Sequence, residues 1–319
     1  MSYFLALDVG GTKTDYILAN EQRELARVRS GTIKRMRVDA QTAAHNLDTS
    51  LQKLTAASGV EMNAIARSCI GTAGESVDLV TDWLCAAFAE RVAGELILVG
   101  DVEVALDAAF PGEAGVLVLA GTGSNVAGRG IDGQITTVGG WGPALADQGS
   151  GHRIGLEALR ALFLARDEGR STLLFDAVLE FWKLHSIKDL IEFANALPAP
   201  DFSLLTHLVL RCAQRGDVVA AAVLEREGKS LGYLVRLMLR RLHLGADQSA
   251  PLPPIAFAGS IMENVACVRE ALIAAVESEF PDAQMRLGVV DPIQGALWRA
   301  RVGHRDKYAV SRQEGQSLP

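Results

Sequence analysis

The chain has 319 residues and a net charge of −7, and 49% of its residues are hydrophobic and 22% charged. This composition is that of a globular protein of about two domains, and it excludes a mostly disordered or fibrous chain. The acidic balance argues against a general nucleic-acid binder, which presents a basic face. The 31 glycines are clustered, and their clusters are the first places to look for function.

The first third of the chain alternates strands and helices. Apolar runs predict strands at 3–7, 15–19, 25–28, 68–71 and 96–99, and the first of these strands ends in the glycine-rich turn DVGGTKT. Asp39 is placed to cap a helix that ends at Gly59, and the pattern of apolar residues predicts a second helix after the strand at 68–71. Such alternation is typical of an α/β layer.

The same order of strand, Gly-Thr turn and strand begins again near residue 114. An apolar run at 116–120 precedes GTGSN at Gly121–Asn125, and a second extended segment follows. This weak internal repeat indicates a duplicated fold, although chance could also produce it. A long, mostly helical segment comes next, and the last predicted elements are a strand, a helix, a strand and a helix, at 255–258, 264–278, 285–290 and 291–300.

Three predicted strand ends carry glycine beside threonine or serine. Glycine allows the backbone to approach a ligand closely, and successive N–H groups in such turns bind anionic oxygens. Tight hairpins also need glycine, but three such turns after buried strands favour phosphate binding. The Walker A and dinucleotide fingerprints do not fit, because Thr12 precedes Lys13 and Val126 stands where a third glycine belongs.

These turns, together with GGWGPALADQGSG, FAGS and DPIQGAL, resemble in their order the actin-like ATPase superfamily, which includes sugar kinases and Hsp70. Within it, the chain resembles the N-acetylglucosamine kinase and BadF/BadG/BcrA/BcrD ATPase family over nearly its whole length. The resemblance implies an α/β fold of two related RNase H-like (actin-like ATPase) domains flanking a nucleotide cleft. We expect domains at 1–113 and 114–292, a helical insertion at about 152–245, and a C-terminal helix at about 293–310 that packs back on the first domain.

The resemblance also implies how ATP and Mg²⁺ are bound. The first two glycine turns would hold the phosphates, and the third would lie against the adenosine. The residues implied for the phosphates are Gly10, Gly11, Thr12, Lys13, Thr14, Gly121, Thr122, Gly123 and Ser124, and those for the adenosine are Gly259 and Ser260. Asp8 would position Mg²⁺ through water. Phosphoryl transfer needs mainly such positioning and charge neutralisation, with a base beside the accepting hydroxyl.

Asp101, directly after the strand at 96–99, matches the family's catalytic aspartate. By resemblance it would contact the sugar and accept the proton of its hydroxyl. The alternative is an N-cap of the following helix, and both roles are compatible. The nearest competing carboxylates, Glu103 and Asp107, lie further along that helix, and we expect them to be solvated.

The other sugar contacts implied by the resemblance are a hydroxyl, a backbone group, an aromatic wall and a carboxylate: Thr72, Gly140, Trp141 and Asp147. The carboxylate can accept hydrogen bonds from two adjacent hydroxyls, although it could also cap the helix that begins near Ser150. The chain departs from the family at 31–37, where the sugar-contacting asparagine is missing and Lys34, Arg35 and Arg37 stand. This segment is either a solvated basic loop or a sign of a substrate with an acidic or phosphorylated group.

The leading hypothesis is an ATP-dependent kinase of an amino sugar or related hexose, acting as a homodimer on small molecules without nucleic-acid or membrane partners. The alternatives are a BadF-type ATPase that activates a dehydratase or reductase, and a sensor without turnover. Such activators hold an iron–sulfur cluster with cysteines. The four cysteines of this chain are widely scattered, which disfavours such a cluster: they are Cys69, Cys85, Cys212 and Cys267. Because no signal peptide and no apolar run of about 20 residues is visible, we expect a cytoplasmic protein.

Overall fold

The computed structural model describes residues 1–73, 77–244 and 251–303, and the chain divides into two compact units. Unit 1 contains Met1–Gly115, Arg129–Ile135 and the chain from Val290 onward, and unit 2 contains Val116–Gly128 and Thr136–Val289. Each unit is built on one five-stranded sheet with helices, as the predicted α/β class requires. Residue 245 of the expected insertion and residues 304–310 of the expected C-terminal helix lie outside the described residues.

The described residues form ten strands, eleven α-helices and two short 3₁₀ helices, Met62–Ala64 and Phe202–Leu205. The strands are β1 (Tyr3–Val9), β2 (Lys13–Asn20), β3 (Glu24–Gly31), β4 (Ile65–Thr72), β5 (Glu95–Val99), β6 (Gly115–Ala120), β7 (Ser124–Arg129), β8 (Ile135–Val138), β9 (Ile255–Ala258) and β10 (Met285–Val289). The helices are α1 (Ala40–Ser58), α2 (Asp78–Ala89), α3 (Asp101–Ala109), α4 (Gly151–Asp167), α5 (Leu174–Trp182), α6 (Ile187–Ala194), α7 (Thr206–Gln214), α8 (Val218–Leu244), α9 (Ser260–Asn264), α10 (Ala266–Glu277) and α11 (Pro292–Val302). Within the described part of the chain, no helix has the length and apolarity needed to cross a bilayer.

The sheet of unit 1 has the strand order β3-β2-β1-β4-β5. β1 is antiparallel to β2 and parallel to β4, and β4 is parallel to β5. Val9 is in register with Thr72, and Gly71 is in register with Val99. The carboxyl ends of three neighbouring parallel strands therefore lie at one edge, which is where open α/β sheets bind ligands.

Both faces of this sheet are covered, which explains why β1 is apolar along its length. Leu5 and Leu7 pack in a core with α1 and α2, whereas Phe4 and Ala6 pack in a second core with α11. The caps predicted for α1 are confirmed: Asp39 accepts a hydrogen bond from the Thr42 N–H at 2.8 Å, and the helix ends at Gly59 with φ 72°.

Two glycines allow α3 to pack closely between the sheet and α11. A Cβ atom on Gly295 of α11 would lie 1.8 Å from the Val104 carbonyl oxygen, and one on Gly71 of β4 would lie 2.4 Å from Val104 Cγ2. Real Cβ contacts do not approach so closely, so both positions require glycine. This packing fixes α3, and with it Asp101, which is the first residue of that helix.

The sheet of unit 2 has the order β10-β9-β6-β7-β8. β6 and β9 are parallel neighbours, and Leu119 is in register with Ala258. The second and third glycine turns therefore leave the same edge of this sheet. A Cβ atom on Gly259, which has φ 93°, would lie 2.4 Å from the Ala120 carbonyl oxygen, so this close approach of the two strand ends also requires glycine.

Candidate active site

The first glycine turn joins β1 to β2 as a tight hairpin. The Gly10 N–H donates to the Lys13 carbonyl at 3.0 Å, and Val9 pairs with Thr14 across the hairpin. Gly11 and Thr12 are exposed, and their backbone N–H groups donate to no other described residue. The hairpin therefore presents unused backbone donors at its tip, which is the arrangement that binds anionic oxygens.

The side chain of Thr14 has a different position from the tip of the hairpin. It is fully buried, and its hydroxyl accepts a hydrogen bond from the Ile33 N–H at 3.2 Å. Thr14 thus ties the segment that follows β3 to the hairpin, and its backbone pairs with Val9 and Ser30 within the sheet. Its place is therefore structural, behind the exposed tip of the hairpin.

Asp8 lies near the carboxyl end of β1, one residue before Val9. The pKa of its carboxyl is raised to about 6. Burial is the largest cause, the negative charges of Asp101, Asp15 and Asp291 act in the same direction, and Lys13 opposes the shift. A partly desolvated carboxylate among other carboxylates favours a bound cation. No group of three or more acidic, histidine or cysteine side chains in the described residues could hold a metal alone. Mg²⁺ commonly uses one or two carboxylates with water and substrate phosphates, and Asp8 fits that role.

Asp101 begins α3 at the same edge of the unit 1 sheet. The N-cap residue is Gly100, and Asp101 Oδ1 accepts a hydrogen bond from the Val102 N–H at 2.8 Å. The capping alternative is therefore wrong, because Asp101 is already inside the helix and its Oδ1 contacts only the N–H of the next residue. Oδ2 has no partner among the described residues. Thr72 is buried at the end of β4, with its hydroxyl 3.3 Å from the carbonyl oxygens of Val9 and Ala73.

The expectation that Glu103 and Asp107 are solvated is wrong. The Asp107 side chain is fully buried and accepts hydrogen bonds from Arg129 Nη2 at 2.6 Å and from Arg299 Nε at 2.8 Å. Glu103 pairs with Arg299 Nη1 at 2.5 Å, and its side chain is only 16% exposed. Buried carboxylates need such partners to offset their lost hydration. Both groups are therefore engaged, and Asp101 is the open carboxylate of α3.

The second glycine turn, in unit 2, joins β6 to β7 and is closed more tightly than the first. The Gly121 N–H donates to the Gly123 carbonyl at 2.8 Å. The carbonyls of Gly121 and Thr122 accept hydrogen bonds from the first two N–H groups of α4, those of Gly151 and His152, at 2.7 and 3.2 Å. Ser124 is buried and donates its hydroxyl to the Gln148 carbonyl at 2.8 Å.

A small cavity of about 70 Å³ connects the second and third glycine turns within unit 2. Gly121, Thr122 and Ser260 line it, and all three were predicted from the sequence. Ser203, Thr206 and His207 also line it, and these were missed. They lie in a helical segment without a glycine motif, so nothing local in the sequence distinguished them.

Asp147 lies against the second glycine turn. Its Oδ2 would be 3.1 Å from a Cβ atom on Gly123, and the residue is 6% exposed. Burial raises the pKa of its carboxyl, and a backbone hydrogen bond from Gly142 and the charge of His152 oppose the shift. The capping alternative for Asp147 is wrong, because the side chain that caps α4 is that of Ser150.

Gly140 and Trp141, also predicted as sugar contacts, lie in the loop between β8 and α4. Gly140 has φ 72°, and a Cβ atom there would lie 2.8 Å from the Asn125 side chain, so this backbone conformation favours glycine. Trp141 is 72% exposed. Its ring is therefore available to a ligand on this unit.

Sequence reasoning missed Glu227, a buried residue of α8. Its Oε2 accepts a hydrogen bond from the Gly149 N–H at 3.0 Å, and the residue is 3% exposed. Gly149 lies two residues from Asp147 and has φ 76°. Glu227 therefore holds the loop that carries Asp147. One signal was available in the sequence. Glu227 lies four residues before Leu231, so the helical period places this glutamate on the apolar stripe of the helix.

The predicted residues thus form one group in each unit. In unit 1 the group is at the sheet edge and comprises Asp8, Gly10, Gly11, Thr12, Lys13, Thr14, Thr72 and Asp101. In unit 2 it comprises Gly121, Thr122, Gly123, Ser124, Gly140, Trp141, Asp147, Gly259 and Ser260.

Residues 5–300 match the family model described as the BadF/BadG/BcrA/BcrD ATPase family. The chain belongs to this family. The resemblance predicted from the glycine turns and their order is confirmed.

Named relatives and solved structures cover nearly the whole chain. The N-acetylmuramic acid/N-acetylglucosamine kinase of Clostridium acetobutylicum is 26% identical over 309 residues, which are 94% of this chain and 99% of that protein. The N-acetyl-D-glucosamine kinase of Dictyostelium discoideum is 27% identical over 311 residues, 92% of this chain and 96% of that protein. A crystal structure of a candidate N-acetylglucosamine kinase from Chromobacterium violaceum aligns with a TM-score of 0.70 at 25% identity, covering 93% and 98% of the two chains.

Proposed function

We propose that the protein is an ATP-dependent carbohydrate kinase that phosphorylates an amino sugar or a related hexose. The observation that carries this proposal is the open carboxylate of Asp101, at the same sheet edge as Asp8 and the unused N–H groups of the first glycine turn. The two named relatives are amino-sugar kinases that align over more than nine-tenths of this chain.

In this mechanism Asp101 accepts the proton of the sugar hydroxyl. The hydroxyl oxygen forms a bond to the γ-phosphorus of ATP, and the bond from that phosphorus to the bridging oxygen breaks, which releases ADP. The N–H groups of Gly11 and Thr12 bind phosphate oxygens, and Mg²⁺ held by Asp8 through water supplies charge neutralisation when bound. In unit 2, we assign the Asp147 carboxylate to a sugar hydroxyl, and the cavity beside Gly121 and Ser260 to the nucleotide.

The test is a panel of neutral and acidic amino sugars and hexoses, assayed for sugar-dependent ADP formation with Mg-ATP. The wild type should release ADP only with its substrate. Asp101→Asn should lower kcat by about 10²- to 10⁴-fold, the usual contribution of a general base, and should still bind nucleotide. Asp82→Asn, at an exposed position of α2, is the matched control and should keep full activity. Sugar-independent ADP release, or full turnover by Asp101→Asn, would contradict the proposal.

Two of the four cysteines are poorly placed to hold the iron–sulfur cluster of a BadF-type activator. Cys69 and Cys212 are buried, and burial raises the pKa of the Cys69 thiol to about 12. A cluster ligand must be a thiolate, which these surroundings disfavour. We also propose a homodimer, as the family resemblance implies, and a cytoplasmic location. Sedimentation and cell fractionation would test these two proposals.

A further inference from the structure

We propose that Arg37, in the segment between β3 and α1, binds the γ-phosphoryl group of ATP and neutralises its charge during transfer. This inference rests on the proposed kinase function. It assigns a role to the basic segment that replaces the family's sugar-contacting asparagine, a segment that sequence reasoning left either solvated or facing an acidic substrate.

The guanidinium of Arg37 lies over the tip of the first glycine turn. Its Nε would be 3.7 Å from a Cβ atom on Gly11, which is van der Waals contact. The N–H groups of Gly11 and Thr12 at this tip donate to no other described residue. An anion bound by these N–H groups would therefore lie within reach of the guanidinium.

The segment that carries Arg37 is attached to the hairpin by side-chain hydrogen bonds. Thr32 donates its hydroxyl to the Gly10 carbonyl at 2.6 Å and accepts the Lys34 N–H at 3.0 Å. Asn46 of α1 donates to the Thr32 carbonyl at 3.0 Å. The Arg37 N–H then closes a turn by donating to the Lys34 carbonyl at 2.8 Å. These bonds fix the backbone of the segment, and the exposed side chain of Arg37 extends from it to Gly11.

Lys13, the basic residue of the glycine turn itself, has a carboxylate partner, although the contact is long. Its Nζ lies 3.8 Å from Asp15 Oδ2, and Asp15 also accepts two hydrogen bonds from Arg29, at 2.6 and 3.2 Å. Arg37 forms no ion pair with a carboxylate in residues 1–73, 77–244 or 251–303. It is therefore a cation without a carboxylate partner beside the hairpin, close to a site where Asp8 and its acidic neighbours would otherwise repel a phosphate.

A guanidinium suits this position because it stays protonated and can donate two parallel hydrogen bonds to phosphoryl oxygens. During transfer, Arg37 keeps its protons and the hydroxyl proton goes to Asp101. The guanidinium balances the charge on the phosphoryl oxygens while the phosphorus moves from ADP to the sugar oxygen. Loss of Arg37 should therefore weaken the binding of nucleotides that carry a γ-phosphate, whatever the sugar.

The test compares the affinities of Mg-AMPPNP, a non-hydrolysable ATP analogue, and Mg-ADP by calorimetry. Arg37→Met should weaken AMPPNP binding by about 10- to 100-fold, the range for one charge-assisted hydrogen-bonding group, and change ADP binding by less than about threefold. Arg37→Lys should keep part of the affinity. Arg23→Met removes an exposed arginine at the opposite end of β2 and should leave both affinities unchanged.

Steady-state kinetics with a neutral and an acidic amino sugar complete the test. Arg37→Met should lower kcat to a similar extent with both sugars. An equal loss of ADP and AMPPNP affinity, or none, would overturn the proposal, and so would a rise in KM confined to the acidic sugar. The calorimetric measurements of nucleotide affinity need no sugar turnover. If the protein is not a sugar kinase, no sugar phosphate will form, but Arg37→Met will still weaken AMPPNP binding, so the two failures can be told apart.

Discussion

The replacement of Asp8 by asparagine should stabilise the metal-free and nucleotide-free protein at neutral and alkaline pH. The pKa of the Asp8 carboxyl is raised from 3.8 to about 6 in the folded protein, first by burial and then by the charge of Asp101. Ionisation is therefore disfavoured in the folded state relative to the unfolded state. The difference of about two pKa units corresponds to about 3 kcal/mol of lost stability above pH 6, and partial solvent exposure reduces it to about 1–3 kcal/mol.

The size of this stability gain depends on pH, whereas its sign does not change. Above pH 6 the carboxylate is charged in both states, and Asp8→Asn should gain the full difference. As the pH falls from 6 to 4, the folded protein takes up the proton first, so the wild type recovers its stability and the advantage of the variant disappears. The same substitution should abolish kinase activity, because it removes the carboxylate proposed to position Mg²⁺.

Calorimetry in EDTA at pH 8, 6 and 5 measures this prediction. Asp8→Asn should raise the melting temperature of the transition in which unit 1 unfolds by about 2–10 °C at pH 8 and by clearly less at pH 5. Asp82→Asn should show no such pH dependence. A lower melting temperature for Asp8→Asn at pH 8, or a shift that is equal at pH 8 and pH 5, would refute the reasoning.

Two further substitutions test the packing and the loop that position the site. Gly295→Ala should destabilise unit 1 by about 3 kcal/mol in urea unfolding, because its Cβ would lie 1.8 Å from the Val104 carbonyl oxygen, whereas Gly288→Ala, which has nothing within 4 Å, should be neutral. Equal effects of the two would contradict this packing. Glu227→Ala should raise the KM for the sugar by about tenfold through loss of the hydrogen bond from Gly149, and Glu227→Gln should retain most of the affinity because its amide oxygen can still accept that bond. Equal KM values for the two variants would contradict the positioning role.

The sequence could predict the features that depend on neighbouring residues. The glycine hairpins, the caps of α1 and the strand that carries Asp8 follow from local pattern, and the structure has them. The helix predicted at 264–278 is present as α10 (Ala266–Glu277), whereas the short helix α9 (Ser260–Asn264) was not predicted; Val265, at φ −117° and ψ 73°, breaks the helical geometry between them. No proline or glycine marks that break.

Features that depend on distant partners could not be predicted. Asp107 is buried because Arg129 and Arg299, 22 and 192 residues away, neutralise it. Glu227 lies 78 residues from Gly149, the backbone that it holds. Arg37 has its place beside Gly11 through the hydrogen bonds of Thr32, which no local pattern indicates. These contacts exist only once the sheets have formed.

The central claim is that the γ-phosphoryl group of ATP moves to a sugar hydroxyl. Phosphorus NMR of the protein with Mg-ATP and each sugar of the panel tests it most directly. We predict that ADP and one sugar phosphate appear in equal amounts with the substrate, and that neither accumulates without a sugar. ADP and inorganic phosphate produced at the same rate with and without every sugar would contradict the account.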